Sequence, residues 1–368
     1  MSEFLAQRCA ALLRKVVRAG CGAILITKPE NVYYLSGFTG EDSWLVLSAR
    51  KRILVTDSRF AEEAARSCPG WQAHIRTRGM ADTTAEILKA VGALVAFESA
   101  DLSVAMHEAL SKRLGRRVRF VGKLGLVEQL RLVKDAREIV AIKAAVRVAE
   151  QSMKATLADL DGCASEESFA ATLDHHMRGH GASGSAFETI AAAEPNSSLP
   201  HAKPSDKRLC DSTTLLVDWG ARLRRYNSDL TRVVAWGKVT PQICAILPVV
   251  NAAQKAAIAV IRPGVSAARV DAVARKVISD AGYGDFFGHG LGHGVGLEVH
   301  EGPSLSPSSK IRLKEGMVVT VEPGIYLPAV GGVRVEDMVL VTGKGCEVLT
   351  HISRRPGTLG RMAGSSSQ

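Results

Sequence analysis

Apolar residues in the first 130 positions occur in two ways: short solid runs, and spacings of three to four. The runs AILIT, SWLVLS, RILVTD and LVAFE read as strands, each five or six residues of mostly β-branched and aliphatic side chains. Residues 2–19, RFAEEAARS, TTAEILKAVG and VAMHEALSKRL carry helical periodicity between them. This alternation predicts an α/β domain. NVYYLSGFTG, rich in turn residues and aromatics, reads as a loop, open either to binding or to simple packing. No knot of His, Asp or Glu in this half suggests catalysis.

A longer helical pattern then opens in KDAREIVAIKAAVRVAEQSMKATLADL, with Ile139, Ile142, Val146, Ala149 and Met153 at helical spacing. The boundary belongs just before it, near Val133, giving domains over residues 1–132 and 133–355. A further helix is expected over about 165–180, started by a cap at Ser165 with Glu167 and Ser168 behind it. Residues 212–236 read as a hairpin, followed by helices in PQICAILPVVNAAQKAAIAVI and SAARVDAVARKVISDAGY. From 288 to 342 the pattern returns to strands, and the small, polar tail 356–368 reads as disordered. The expected class is α/β, or α+β when the second domain is counted with it.

Composition adds limits rather than a function. The chain has 368 residues, of which 46% are hydrophobic and 23% charged, ordinary values for a soluble protein with a large core. Its formal charge of +10 is spread along the chain, with aromatics at only 5%, which argues against a nucleic-acid binder with its concentrated basic stripe. The seven cysteines form no CxxC pair and are odd in number, a pattern of reduced thiols. The N-terminus is amphipathic without a continuous apolar core, and no run of eighteen apolar residues occurs. A cytoplasmic protein without a membrane span is expected.

The chemistry lies in the strand-rich part of the second domain. In VDWGARLRRYNSDLTR a hairpin symmetric about Leu223 and Arg224 would set Asp218 opposite Asp229, although like charges placed across a ladder destabilise it. In TVEPGIYLPAVGGVRVED, reflection about Ala329 sets Glu322 opposite Glu336. Two such pairs on otherwise apolar runs must protonate or find cations, and Arg334 alone cannot balance four charges. Between the pairs, FFGHGLGHGVGLEVHEGP presents His289, His293 and His300 from a strand thinned by alternating glycines, which mark a close approach of backbone or ligand. Carboxylates with imidazole and no thiol suit Mn²⁺, Co²⁺, Fe²⁺ or Zn²⁺. Four carboxylates and one histidine would serve two divalent ions roughly 3–4 Å apart. His175, His176 and His180 read as a helix end without a catalytic role, and His201 in SSLPHAKPSD is open on chemistry alone.

At these residues the chain resembles the pita-bread metallopeptidases, in particular the proline-specific branch of aminopeptidase P and prolidase (Xaa-Pro dipeptidase). AILITKPENVYYLSGFTGEDSWLVLS is similar to the N-terminal domain shared with creatinase. FETIAAAEPNSSLPHAKPSDKRL, LLVDWGARLRRYNSDLTRVV, GHGLGHGVGLEVHEGPSL and VVTVEPGIYLPAVGGVRVEDMVLV resemble the four catalytic blocks. The resemblance implies five metal ligands: Asp218, Asp229, His293, Glu322 and Glu336. Asp229 and Glu336 would bridge two ions, Asp218 would belong to one, and His293 with Glu322 to the other. It further implies substrate-contacting roles for His201, His289 and His300, and equates Arg334 with the arginine of the R-x-E-D block. Trp219 and Ala202 stand where Phe and Gly are commoner, away from any ligand.

The implied reaction is hydrolysis of the bond between an N-terminal residue and proline, with Glu322 as proton acceptor and His300 and His201 as donors to the tetrahedral oxyanion. Manganese is the favoured metal, and a homodimer the implied assembly. Dipeptidase and aminopeptidase P specificities both stay open. Methionine aminopeptidase shares the ligands, but its minimal form lacks a domain like residues 1–130. Creatinase shares the layout without the full ligand set, and a non-catalytic binding module would be expected to have lost ligands.

Overall fold

The computed structural model describes residues 3–160, 164–236 and 238–354, so the tail 356–368 and Cys163 lie outside the described residues. The chain forms two compact units, Met1–Arg131 and Leu132–Gln368. The first is built on a six-stranded sheet with the order Gln72–Ile75, Arg52–Thr56, Trp44–Ser48, Ala23–Ile26, Leu94–Glu98, Arg119–Lys123. Ala23–Ile26 is fully buried, pairing antiparallel with Trp44–Ser48 and parallel with Leu94–Glu98. Val95, Phe97, Leu25 and Val46 pack there against Ala85, Leu88, Leu110 and Leu114 of the covering helices. The two outermost strands were not legible in the sequence because an edge strand needs no apolar run; Gln72–Ile75 is mostly exposed.

The segment read as a loop, NVYYLSGFTG, is instead mainly helical, over Pro29–Ser36. Pro29 sits in the first turn, where its missing N–H costs nothing. Gly37, at φ 77°, ends the helix in the left-handed conformation and donates its N–H to Tyr33. Above this helix the buried Glu98 accepts from the backbone N–H groups of Thr27 (2.7 Å) and Lys28 (2.9 Å) and from the Asn31 amide. Burial pushes its carboxyl up to about 7 against the pull of these donors.

The second unit repeats one construction twice, a helix pair packed on an antiparallel sheet. Helix Ala136–Ala158 starts on a capping box between Asp135 and Glu138 and pairs with Glu166–Gly179, capped by Ser165. Val148, Met153, Phe169 and Leu173 of this pair pack on Val217, Trp219 and Leu230 of the sheet Leu230–Ala235, Thr214–Trp219, Ile190–Ala193. Helices Pro241–Val260 and Ala267–Asp280 likewise cover the sheet Glu301–Leu305, Gly292–Gly294, Val318–Val321, Asp337–Val341, Cys346–Val348. Pro241–Val260 has the length and apolarity to cross a bilayer, but Ile243, Ile246, Val250, Ala253 and Ala257 are buried against the strands. Thr231 and Glu336 form an isolated bridge joining the two sheets, with the Glu336 N–H 3.1 Å from the Thr231 carbonyl.

Candidate metal centre

Both hairpins deliver their carboxylates to this junction, though not with equal symmetry. Glu322 and Glu336 are directly opposed, as expected, because the register runs through Val321↔Asp337 on one side and Gly324↔Arg334 on the other. The aspartate hairpin differs from its expected register. Its turn is centred on Arg224 and Arg225, at φ 49° and 71°, between the paired Leu223 and Tyr226. Two positive φ values match the twist of a two-residue hairpin turn. Moving the centre one residue towards the C-terminus puts Thr231, not Asp229, opposite Asp218. Asp229 is then a diagonal neighbour, which lessens the direct opposition of charges.

His293 comes from the thin strand between the hairpins. A Cβ on Gly292 would lie 2.2 Å from the Thr320 carbonyl oxygen, and one on Gly294 would lie 2.0 Å from that of Gly302. The glycines therefore serve the close approach of neighbouring backbones. The imidazole donates from Nδ1 to the Gly294 carbonyl (3.1 Å), leaving Nε2 3.5 Å from Asp229 Oδ2 and 3.4 Å from Glu322 Oε1. Burial, reinforced by His300, holds His293 down to about 4. At neutral pH the imidazole is consequently uncharged, and these contacts are not imidazolium–carboxylate ion pairs; the neutral Nε2 lone pair faces the two acids.

The donor atoms of Asp229, His293 and Glu336 all lie within 4.8 Å of one another. Burial and then the neighbouring carboxylates hold Asp229 and Glu336 well above the usual carboxylate range, while burial lifts Glu322 to about 8. Asp218 Oδ1 is buried without a hydrogen-bond partner among the described residues. Crowded acids, an orphaned oxygen and a neutral imidazole fit divalent cations of the hard-to-borderline kind.

Around this cluster the orienting contacts are specific. Arg334 donates to Asp218 Oδ2 (2.6 Å), Thr231 Oγ1 (3.1 Å), the Tyr326 hydroxyl (2.7 Å) and the Pro200 carbonyl (3.1 Å). The Tyr326 hydroxyl lies 3.0 Å from His289 Nε2, and His289 Nδ1 is 2.8 Å from the Gly290 carbonyl. Both ring nitrogens of His289 are thus engaged within the protein. Buried Gln254 donates to the carbonyls of Val321 (3.3 Å) and Val335 (3.1 Å), one residue before each opposed glutamate. The His300 ring packs edge-on against His293 at a centroid distance of 4.4 Å.

The four carboxylates and Arg334 line a cavity of about 540 Å³, with His201, His289, His293 and His300 on its walls beside Phe187, Ile190, Pro200 and Val299. His201 rides on a loop over 193–205 whose two ends are cinched by Glu166. That buried carboxylate accepts from Ala193 N (2.7 Å), Ser205 N (3.0 Å), Ser205 Oγ (2.6 Å) and the Asn196 amide (3.1 Å). His175, His176 and His180 line no part of the cavity; His176 instead contacts Asp159 at 3.1 Å. Tyr326, Gln254, Thr231 and Glu166 were missed in the sequence, where nothing links them to partners far along the chain.

Residues 140–343 match Metallopeptidase family M24, and residues 8–133 match the Creatinase/Prolidase N-terminal domain. The chain is 35% identical over 350 residues to an Xaa-Pro dipeptidase of Pyrococcus furiosus, spanning 95% of this chain and 99% of the relative. An Xaa-Pro dipeptidase structure from Bacillus anthracis superimposes with a TM-score of 0.92 at 34% identity, covering 95% of this chain and 98% of the other. An X-Pro aminopeptidase from Thermotoga maritima does so with a TM-score of 0.86 at 36% identity, covering 92% and 98%.

Proposed function

The chain belongs to metallopeptidase family M24 and carries a creatinase/prolidase N-terminal domain; from that premise we propose that it is a metal-dependent exopeptidase cleaving between an N-terminal residue and proline. The observation that carries this reading is the convergence of Asp218, Asp229, His293, Glu322 and Glu336 on one cavity wall. The crowding of the carboxylates and the raised proton affinities of Asp229, Glu322 and Glu336 are what dications would relieve. Asp229 and Glu336, the most buried of the carboxylates, would hold the dications together with Asp218, His293 and Glu322. Bound dications would supply Lewis-acid polarisation of the scissile carbonyl and of the attacking water.

The remaining steps fall to the chain's own groups. Burial raises the proton affinity of Glu322, so its carboxylate can take a proton from the attacking water and return it to the departing proline nitrogen. His300 and His201 lie on the cavity wall and would donate to the developing oxyanion. Arg334 holds Asp218 in position through the 2.6 Å contact, and His289 acts through Tyr326 on Arg334. Phe187, Ile190, Pro200 and Val299 offer an apolar wall for a ring without an N–H. Manganese as the metal, a homodimer and a cytoplasmic setting belong to the same proposal. The last is supported by the free thiols of Cys9, Cys21, Cys68, Cys244 and Cys346.

Replacement of Asp229 or Glu336 by Ala is expected to abolish both bound metal and Xaa-Pro cleavage in the purified enzyme. Turnover retained by either variant would refute the assignment. Hydrolysis of Met-Ala in preference to Ala-Pro peptides would favour a methionine aminopeptidase instead.

A further inference from the structure

A dipeptide ending in proline differs from a longer Xaa-Pro peptide in one charge, the free carboxylate next to the scissile nitrogen. A site that prefers the dipeptide needs a cation within reach of that carboxylate. Among the described residues lining the cavity, the fixed cations are Arg334 and Lys203. Arg334 is buried and committed to Asp218, Thr231, Tyr326 and Pro200, so it has no free face to offer.

Lys203 differs in every respect. Its side chain is 81% exposed, and its nearest acid is Glu188 Oε2 at 3.7 Å, itself 71% exposed. A solvated pair of this length contributes little and exchanges partners readily. The backbone beneath it is firm: Ala202 N–H bonds to the Leu199 carbonyl, Arg334 holds the Pro200 carbonyl, and Glu166 holds Ser205. A flexible ammonium is therefore mounted on a fixed wall two residues from His201.

We propose that Lys203 is the subsite for the substrate's C-terminal carboxylate, with Glu188 as the internal acid it exchanges for the substrate, making Xaa-Pro dipeptides the preferred substrates. The proposal rests on the Xaa-Pro peptidase reading of the same cavity. Lys203 then draws the carboxylate in, while Glu188 repels the carboxylate and competes with it for the ammonium.

The test compares kcat/KM for Ala-Pro and Ala-Pro-amide, which differ only in that charge, on metal-loaded enzyme. For Lys203→Met the acid-to-amide ratio is expected to fall about tenfold, the scale of one charge-assisted hydrogen bond at a partly exposed site. Lys203→Arg should preserve the ratio, and Glu188→Gln should raise it. The ratio should also fall with added salt in the wild type and not in Lys203→Met. A ratio unaltered by Lys203→Met, in an enzyme that cleaves both substrates, would overturn the carboxylate subsite alone. A wild type that cleaves neither would overturn the peptidase reading and this proposal together.

Discussion

Replacing Glu166 with Gln alters neither size nor shape, yet it should disturb the loop that carries His201. Every partner of this carboxylate is a donor: Ala193 N and the Asn196 amide at Oε1, and Ser205 N, Ser205 Oγ and the same Asn196 amide at Oε2. A glutamine must present an NH₂ at one of these positions. The serine hydroxyl can turn to accept from it, but the backbone N–H of Ser205 or of Ala193 then loses its acceptor. An orphaned buried donor costs about 1–3 kcal/mol, and the surviving bonds lose their charge assistance. Because Glu166 is fully buried, the total should be about 2–4 kcal/mol. For a unit of this size that lowers the melting temperature by about 5–15 °C. Calorimetry of Glu166→Gln checks the magnitude, with the exposed neighbour Glu167→Gln as control. A double-mutant cycle with His201→Ala checks the route to function: the kcat loss from Glu166→Gln should largely vanish where His201 is already absent. A melting temperature within about 1 °C of wild type would refute the clamp, and an undiminished kcat loss in the His201→Ala background would refute its connection to that histidine.

Chelation of the metal should leave a protein that melts well below the loaded form, since ligand at a hundred times its dissociation constant adds about 2.7 kcal/mol. In that metal-free state Asp229→Asn should melt above wild type, because it removes one charge from a buried group crowded by Glu336, Asp218 and Glu322; a lower melting point would contradict the repulsion. Gln254→Leu frees the carbonyls of Val321 and Val335 and should weaken metal affinity about tenfold by calorimetric titration, the usual low end for a lost orienting contact. Wild-type affinity would mean that Gln254 only packs. In the first unit, Glu98 is raised to about 7 from its ordinary 4.5, so the folded state favours its proton. Its contribution, about 3 kcal/mol in full, is present below pH 4.5 and lost as pH rises through about 7. Urea unfolding of the wild type should therefore weaken between about pH 5 and pH 8 relative to Glu98→Gln, and parallel profiles would count against it.

Interior strands and long helices could be read from the sequence because burial writes itself as apolar runs and stripes. The strand Gln72–Ile75 and the helix Pro29–Ser36 could not, the first because an edge needs no apolar face, the second because its aromatics imitate a loop. The four carboxylates were legible as residue types in hairpins, and His293 as a histidine on the glycine-thinned strand between them. The glutamate register followed from turn symmetry, whereas the aspartate register slipped because Arg224 and Arg225 adopt positive φ without a glycine or asparagine to announce it. Orienting groups left no local trace. Glu166 reaches Ser205 across 39 residues and Gln254 reaches Val335 across 81, and such pairings exist only once the chain has folded.

The bridge between Thr231 and Glu336 spans 105 residues of chain. Asp218 and Asp229 leave the ribosome with the first helix-and-sheet layer, long before His293, Glu322 and Glu336 exist to face them. On the proposed assignment a nascent chain would carry two of the five metal ligands, and the competent centre would be assembled only when the later strands dock. Synthesis itself would then delay the onset of proteolysis.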